Sequence, residues 1–477
     1  MDSPARIIEG KLSDDGIPKK IHAHSLDLLE NCGVRFHSQT ARELLRSAGA
    51  KISGDTVRIP APMVESALTK APNSFMLHSR DGKHDLVLDG RRTYYSQDGC
   101  AAHTLDFETG LRRQSIKADI EKMALVSDAL EAVDIITTTV SASDVPVTGR
   151  PIQELEACFI NTGKPIVTES VTNARDARGQ IELAAAIAGS EDALRRRPIF
   201  FSLICPISPL TQDAGGTEAG LEFVAAGIPL AIYPMATAGV TSPVTLAANT
   251  AVANAEVLSL LTLLQLAVPG AKVLYGGGPA TIDLRTGSYT ATSPEAILLR
   301  TMIARMAEFY RLPSMVGAGA TSAKLPGAQA AWENTLSFLP ASLAGADVLF
   351  GVGLLDGSNL LTFEQIVLDS EIATMIRRML NPVDFEDQSF AAGLIKELGP
   401  GGMYLDQMHT VEHMREAISL PLISDRDSYA SWQAKGQIDA VSAARAKVKE
   451  ILAGHRPPPI SDDVRQAMKD RVAAYSR

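Results

Sequence analysis

The chain has 477 residues, of which 45% are hydrophobic and 21% charged, with a formal net charge of −10. It is long enough to bury a sizeable core or to hold two domains. The acidic balance, without any lysine- or arginine-rich cluster, argues against nucleic acid, whose phosphates need cations along a face. Four scattered cysteines (Cys32, Cys100, Cys158 and Cys205), with no C-x-x-C spacing, are those of a reducing, cytoplasmic compartment rather than a disulfide framework.

The opening MDSPARIIEGKLSDDG is polar and has no signal-peptide core. Residues 21–31 predict an amphipathic helix stopped by Gly33, Ser38 caps a second helix before Gly49, and 57–60 reads as a short strand. Residues 1–93 therefore read as an α+β cap. From Tyr94 a different rhythm begins. Eight β-rich runs, near 94–97, 134–140, 166–170, 199–204, 229–234, 272–276, 314–318 and 347–351, alternate with helical stretches such as 119–130, 176–188, 218–227 and 294–310. Such alternation predicts an α/β fold, a closed (β/α)8 TIM-type barrel over 94–380. The competing open, doubly wound sheet lacks support: no G-x-G-x-x-G follows the first strand, and GGGP at 276–279 has neither the spacing nor the later acidic residue. Residues 252–268 are apolar but contain Asn254, Glu256 and Gln265 and end at Pro269-Gly270. They are too short and too polar to span a bilayer and read as a buried helix, so no membrane is expected. Beyond Asn381 the alternation stops, leaving a C-terminal helical extension over 381–477.

Barrel active sites form at the C-terminal ends of the strands. This rule gathers Tyr95, Gln97 and Asp98, Ser141 and Ser143, Glu169, Cys205, Tyr233 and Met235, residues 277–281, the 317–324 loop and residues 350–354 beginning with Phe350. The set is rich in aromatic and small residues and poor in cations, with no Ser/His/Asp or Cys/His combination, and predicts a roomy, weakly charged cavity. His409-Thr410-Val411-Glu412-His413 has the H-x-x-E-H spacing of a zinc site. No third ligand follows it, and the expectation is that the chain holds no metal.

One stretch, residues 314–345, organises the rest. A short apolar run dissolves into Gly317-Ala318-Gly319-Ala320, then Thr321, Lys324 and Pro326 lead into a helical pattern carrying Gln329, Trp332, Leu336 and Leu343. This stretch resembles the trimethylamine methyltransferase family, whose founding members hold pyrrolysine in this loop ahead of S-x-A-K-[IL]-P-x-A-Q-A. Thr321, Ala323, Lys324, Leu325, Pro326, Ala328, Gln329 and Ala330 follow that pattern, and Ala320 falls in the pyrrolysine position. VSASDV at 140–145, LICPISPL at 203–210, DLRTG at 283–287 and HTVEH at 409–413 resemble family segments in the same order.

The resemblance implies a methyltransferase that passes a methyl group from an amine to Co(I) of a separate corrinoid protein. No cofactor is then bound tightly by this chain, which lacks the D-x-H-x-x-G string of a cobalamin domain, and the cobalamin comes on the partner. A tertiary amine leaves as an amide anion unless its nitrogen is activated, whereas a quaternary ammonium leaves as a neutral amine. With only a methyl group at Ala320, the resemblance points to the non-pyrrolysine branch acting on betaines such as glycine betaine or proline betaine. Glu169 and Gln97 are the candidate catalytic residues. Tyr95, Tyr233, Ala320, Thr321, Lys324, Gln329, Trp332 and Phe350 are the candidate substrate contacts, with Lys324 or Arg285 as carboxylate partners and Trp332 as the main cation–π face. A homo-oligomer is expected, and a betaine-binding or regulatory protein without turnover is the alternative.

Overall fold

The computed structural model describes residues 16–99, 101–169 and 171–476. The polar N-terminal segment and Cys100 lie outside the described residues; Cys32, Cys158 and Cys205 are free thiols.

Eight parallel strands form the barrel: β1 (Tyr94–Gln97), β2 (Ile136–Thr137), β3 (Ile166–Thr168), β4 (Phe200–Ile204), β5 (Leu230–Ile232), β6 (Val273–Gly277), β7 (Ser314–Gly317) and β8 (Val348–Val352). Each pairs with its successor from β2 to β8, and β8 pairs with β1 through Val348–Tyr94 and Leu349–Tyr95. A parallel bridge between Ser96 and Ile135 closes the ring beside β2. A helix follows each strand: α1 (Lys117–Asp128), α2 (Arg150–Asn161), α3 (Ala174–Ala188), α4 (Ala214–Ala225), α5 (Leu246–Ala267), α6 (Pro294–Tyr310), α7 (Ala328–Leu343) and α8 (Phe363–Leu380). Local sequence sets their starts. Asn173, Asp213, Ser293 and Thr362 each accept a backbone N–H from the first turn, and Pro294 occupies a position where no N–H is needed.

The strands are buried on both faces, with an inner and an outer set of side chains. Val167, Phe201, Leu203, Ala231, Tyr233, Leu274, Met315, Val348 and Phe350 form one inner cluster, which also takes in Phe75, Leu77, Leu86 and Leu88. Those last four come from an antiparallel hairpin, Phe75–Leu77 with Leu86–Leu88, that precedes β1 and plugs the N-terminal end of the barrel. Asp347 ties the plug down by accepting from Gly90 N at 2.7 Å and Ser314 N at 2.9 Å.

Helix α5 is apolar all round because it is enclosed, packing against the helices at Gly16–Asp27 and Ala61–Lys70. Its central polar side chains reach neighbouring elements. Asn254 bonds Ser25, Tyr275 and Tyr310, and Glu256 accepts from Leu210 N and Ser208 Oγ. It is the one helix among the described residues long and apolar enough to cross a membrane, and it is almost wholly buried.

In the extension, the helices at Ala440–Gly454 and Asp462–Tyr475 dock on α8 and α3. No residue of 381–438 is buried, but Ile423 packs against the core, and Leu422 N and Ser424 Oγ donate to Glu371 of α8.

Candidate active site

A cavity of about 340 Å3 opens at the C-terminal ends of the strands, a size suited to a small molecule. Asp98 and Gly99 reach it from the end of β1, Glu169 from β3, Leu203 and Cys205 from β4, and Tyr233 and Met235 from β5. Ala320 follows β7, Phe350 lies in β8, and Gly357, Ser358 and Asn359 come from the loop before α8. Tyr289 arrives on a small hairpin pairing Thr281–Ile282 with Tyr289–Thr290, and Arg300 projects from α6.

The walls are aromatic on one side. Tyr233 and Phe350 meet edge to face, with centroids 5.6 Å apart. Two glycines make room for this arrangement: a Cβ at Gly278 would lie 2.6 Å from the Tyr233 hydroxyl oxygen, and one at Gly317 would collide with the same oxygen and stand 3.3 Å from the Arg300 guanidinium carbon. Part of the roomy cavity expected from sequence is thus filled by Tyr233 and Arg300. Glu169 lies against Gly99, where a Cβ would overlap its carboxylate. Asp98 accepts from Gly99 N at 2.9 Å and from the Ser358 hydroxyl. Burial raises the Asp98 carboxyl to about 6, against those hydrogen bonds and the nearby Arg300 charge, which favour the ionised form. Burial, with the fields of Glu169 and Asp213, pushes the Cys205 thiol up to about 12, so this sulfur is a neutral wall group and not a nucleophile. Burial also holds the Tyr233 phenol well above its ordinary range.

The loop after β7 is organised by Glu333 of α7. Its carboxylate accepts from Thr321 Oγ1 at 2.5 Å, Ser322 N at 2.8 Å, Thr292 Oγ1 at 3.0 Å and Gln329 Nε2 at 2.9 Å. Ala320, 3% exposed, has φ of 60°, a left-handed conformation that an alanine holds only where its surroundings impose it. Its methyl group forms part of the cavity wall.

Of the residues chosen from sequence, Glu169, Tyr233, Ala320 and Phe350 line this cavity together. Tyr95 and Gln97 do not. Strand residues alternate between lumen and exterior, and both lie in the outward phase. Tyr95 packs edge to face on Phe338, 5.6 Å away, beneath Arg377. Gln97 bonds Ser127 and Thr137 N behind the strand. Thr321 is buried but spends its hydroxyl on Glu333. Lys324 is on the outside, paired with Asp356 at 2.9 Å, and Arg285 is paired with Asp283 at 2.7 Å. Gln329 bonds Glu333 on the helix surface, and Trp332 is 56% exposed on the outer face of α7. Trp332, expected to be the main cation–π face, thus stands outside the cavity, whose aromatic lining is Tyr233, Phe350 and Tyr289. Tyr289, Arg300 and Asn359 escaped sequence reasoning. Arg300 carried a usable signal, as a lone charge flanked by Leu298, Leu299, Met302 and Ile303 in α6.

His409 and His413 have ring centroids 4.5 Å apart on the exposed helix Met408–Ala417. Among the described residues, no three histidine, cysteine or carboxylate side chains gather as a metal would need. A larger apolar groove of about 800 Å3, between the Gly16–Asp27 helix, α5 and α6, lies outside the barrel away from the strand ends.

Comparison with known proteins matches residues 6–476 to the family described as trimethylamine methyltransferase (MTTB). A trimethylamine methyltransferase of Desulfitobacterium hafniense (strain DSM 10664 / DCB-2) is 32% identical over 454 residues, 95% of this chain and 91% of the relative. A glycine betaine methyltransferase of Desulfitobacterium hafniense (strain Y51) is 31% identical over 464 residues, covering 97% and 96%. The crystal structure of the Methanosarcina barkeri monomethylamine methyltransferase shares the fold, with a TM-score of 0.55 at 13% identity, covering 99% of this chain and 91% of that one. An eight-stranded barrel whose glycine-rich loop after β7 forms the cavity wall, matched to one family from end to end, leaves a single assignment: the chain belongs to the trimethylamine methyltransferase family.

Proposed function

We propose that this protein transfers a methyl group from a quaternary amine of the betaine type to Co(I) of a separate corrinoid protein. The observation that carries the reading is Ala320, whose side chain, at the position where the resembled family holds pyrrolysine, gives the cavity wall only a methyl group. A wall of that kind offers no electrophile to activate a tertiary amine. A quaternary ammonium needs none, because its C–N bond breaks with the electron pair staying on nitrogen and a neutral tertiary amine departs. The corrinoid acceptor supplies the electron pair that forms the new bond to the methyl carbon.

The chain's own residues then bind, orient and exclude water. Tyr233, Phe350 and Tyr289 provide the aromatic faces that suit a methylated ammonium. Asp98 and Glu169 lie beside Gly99 and supply a moderate counter-charge. Because the cationic charge fades as the bond breaks, a carboxylate such as Asp98, whose charge is shared with Gly99 N and the Ser358 hydroxyl, is better matched than a tight ion pair, which would stabilise the ground state over the transition state. Free, unpaired thiols at Cys158 and Cys205 agree with a cytoplasmic enzyme.

We also infer that identical subunits associate. Residues 381–438 expose Phe385, Leu405 and Leu420, each more than 70% accessible, and α7 exposes Trp332, Leu336 and Leu343. A stable interface buries roughly 800 Å2 on each partner and its core is apolar, and a second copy is the partner always made in equal amount. A corrinoid protein that must arrive and leave at each turnover suits a smaller, more polar contact.

The test of the reaction is to mix the full chain with a reduced corrinoid protein and offer glycine betaine or trimethylamine. Dimethylglycine, followed by NMR, is the expected product, with trimethylamine demethylated far more slowly. Equal rates for the two amines refute the role of Ala320, and betaine binding without any product points to a binding protein.

A further inference from the structure

We propose that Arg300 is a specificity-determining residue that binds the anionic end of the substrate, so that the cavity selects zwitterions carrying a carboxylate beside the quaternary nitrogen. This rests on the quaternary-amine reading above and deepens it.

Arg300 is 4% exposed and lines the cavity. A guanidinium carries five N–H donors in a fixed plane and stays charged. Here Nε donates to Pro279 O at 3.2 Å and Nη2 to Tyr289 Oη at a long 3.4 Å. Nη1 is buried and has no hydrogen-bond partner. A buried charged donor without an acceptor is strongly unfavourable, and buried polar groups in folded proteins nearly always find one. The neighbouring acid does not fill the role. Asp98 feels Arg300 through space, but its oxygens are engaged by Gly99 N and Ser358.

The surroundings are shaped around this cation. Gly317 leaves the guanidinium carbon room that any side chain would take, and the Tyr289 hydroxyl steadies Nη2 from the 281–290 hairpin. The cavity therefore has two poles: the Asp98 and Glu169 carboxylates, which meet at Gly99, and the Arg300 guanidinium. A zwitterion satisfies both. Its ammonium sits against the acids and the Tyr233–Phe350 faces, and its carboxylate accepts from Nη1. A plain quaternary ammonium alcohol such as choline satisfies only one and leaves Nη1 unmet. The carboxylate contact persists from bound substrate to product, so it strengthens binding and fixes orientation rather than acting on the breaking bond.

Calorimetric titration of the full chain with glycine betaine, choline and acetate tests the assignment. The expected result is that glycine betaine binds at least about 30-fold more tightly than choline, in line with a charge-assisted hydrogen bond. Arg300→Gln, checked for folding by circular dichroism, should erase that preference, weakening glycine betaine about 30-fold while changing choline less than about 3-fold. Arg300→Lys should restore part of it. In steady state the loss should fall on KM more than on kcat. Equal binding of choline and glycine betaine by the unaltered chain, a comparison that needs no variant, overturns the proposal. So does an equal loss of both ligands in Arg300→Gln. If no quaternary amine is demethylated yet acetate binds and is lost in Arg300→Gln, the anion site stands and the methyl-transfer reading falls. Demethylation that continues with no preference for a carboxylate does the reverse.

Discussion

Replacing Glu333 by alanine should loosen the loop that presents Ala320, and the size of the effect follows from what its carboxylate holds. Four donors lose their acceptor: Thr321 Oγ1, Ser322 N, Thr292 Oγ1 and Gln329 Nε2. Gln329 is exposed and returns to water at little cost, whereas the fully buried Thr321 and the 7% exposed Thr292 do not. Leaving a buried donor unmet costs about 1–3 kcal/mol, and Thr321 and Thr292 hydroxyls can rotate to recover part of it. A net loss of about 3 kcal/mol is the working figure. At roughly 2.1 cal/mol/K per residue, a chain of 477 residues has an unfolding entropy near 1 kcal/mol/K, so Tm should fall by about 3 °C. Burial raises the Glu333 carboxyl, but hydrogen bonds from Thr321, Gln329, Ser322 and Thr292 outweigh it and hold the group below its ordinary range. Its contribution is therefore full above the unfolded glutamate value and is lost as pH falls through the lowered one. Scanning calorimetry at pH 7 and pH 4, beside demethylation rates, checks both parts. Glu333→Ala should lower Tm at pH 7, lower it less in acid, and reduce kcat/KM more than a 3 °C shift explains. An unchanged Tm with unchanged kcat/KM refutes the account of the loop.

Binding of a quaternary ammonium should strengthen as pH rises through about 6, where the buried Asp98 carboxyl ionises, and Asp98→Asn should flatten that dependence in calorimetry. Tyr233→Ala should weaken binding by roughly 1–2 kcal/mol through the lost aromatic face, with Tyr233→Phe close to the parent. Trp332→Ala should leave Kd unchanged, since the ring is outside the cavity; a weakened Kd there would return Trp332 to the site. Light scattering should find the full chain as an oligomer, and Leu405→Glu with Leu420→Glu should shift it toward monomer; a monomeric parent ends that inference.

The barrel was legible because period carries it: eight short apolar runs separated by helices of matching length admit few other folds. Phase was harder to read. In an antiparallel sheet with one wet face, alternation marks which side chains point inward, but barrel strands are buried on both faces. Tyr94, Tyr95, Ser96 and Gln97 give no such contrast, and all but Tyr94 are fully buried. Tyr95 and Gln97 were thus assigned to the lumen one residue out of step with Asp98, which does reach it. The Arg300 side chain was missed for another reason. The strand-end rule looks to loops, whereas Arg300 reaches the cavity from a helix, past glycines that only three dimensions bring beside it.

Helix α7 shows how a correct element can carry an inverted face. Trp332, Leu336 and Leu343 recur at helical spacing, and such a stripe ordinarily faces the core. In the fold it faces outward, while Ala330, Asn334, Ser337, Phe338 and Ala341 lie against the barrel. Small residues win the inner side because they let the helix approach β7 and β8 closely; Ser337 Oγ even accepts from Gly319 N at 2.9 Å. Large apolar groups left outside a monomer are costly to keep in water, at about 25 cal/mol for each Å2. The same inversion recurs across residues 381–438, where apolar side chains are exposed and none is buried. Two surfaces of one chain that break the same rule in the same direction fit the association of copies proposed above. Trp332 is then better read as a determinant of how copies meet than of what the cavity holds.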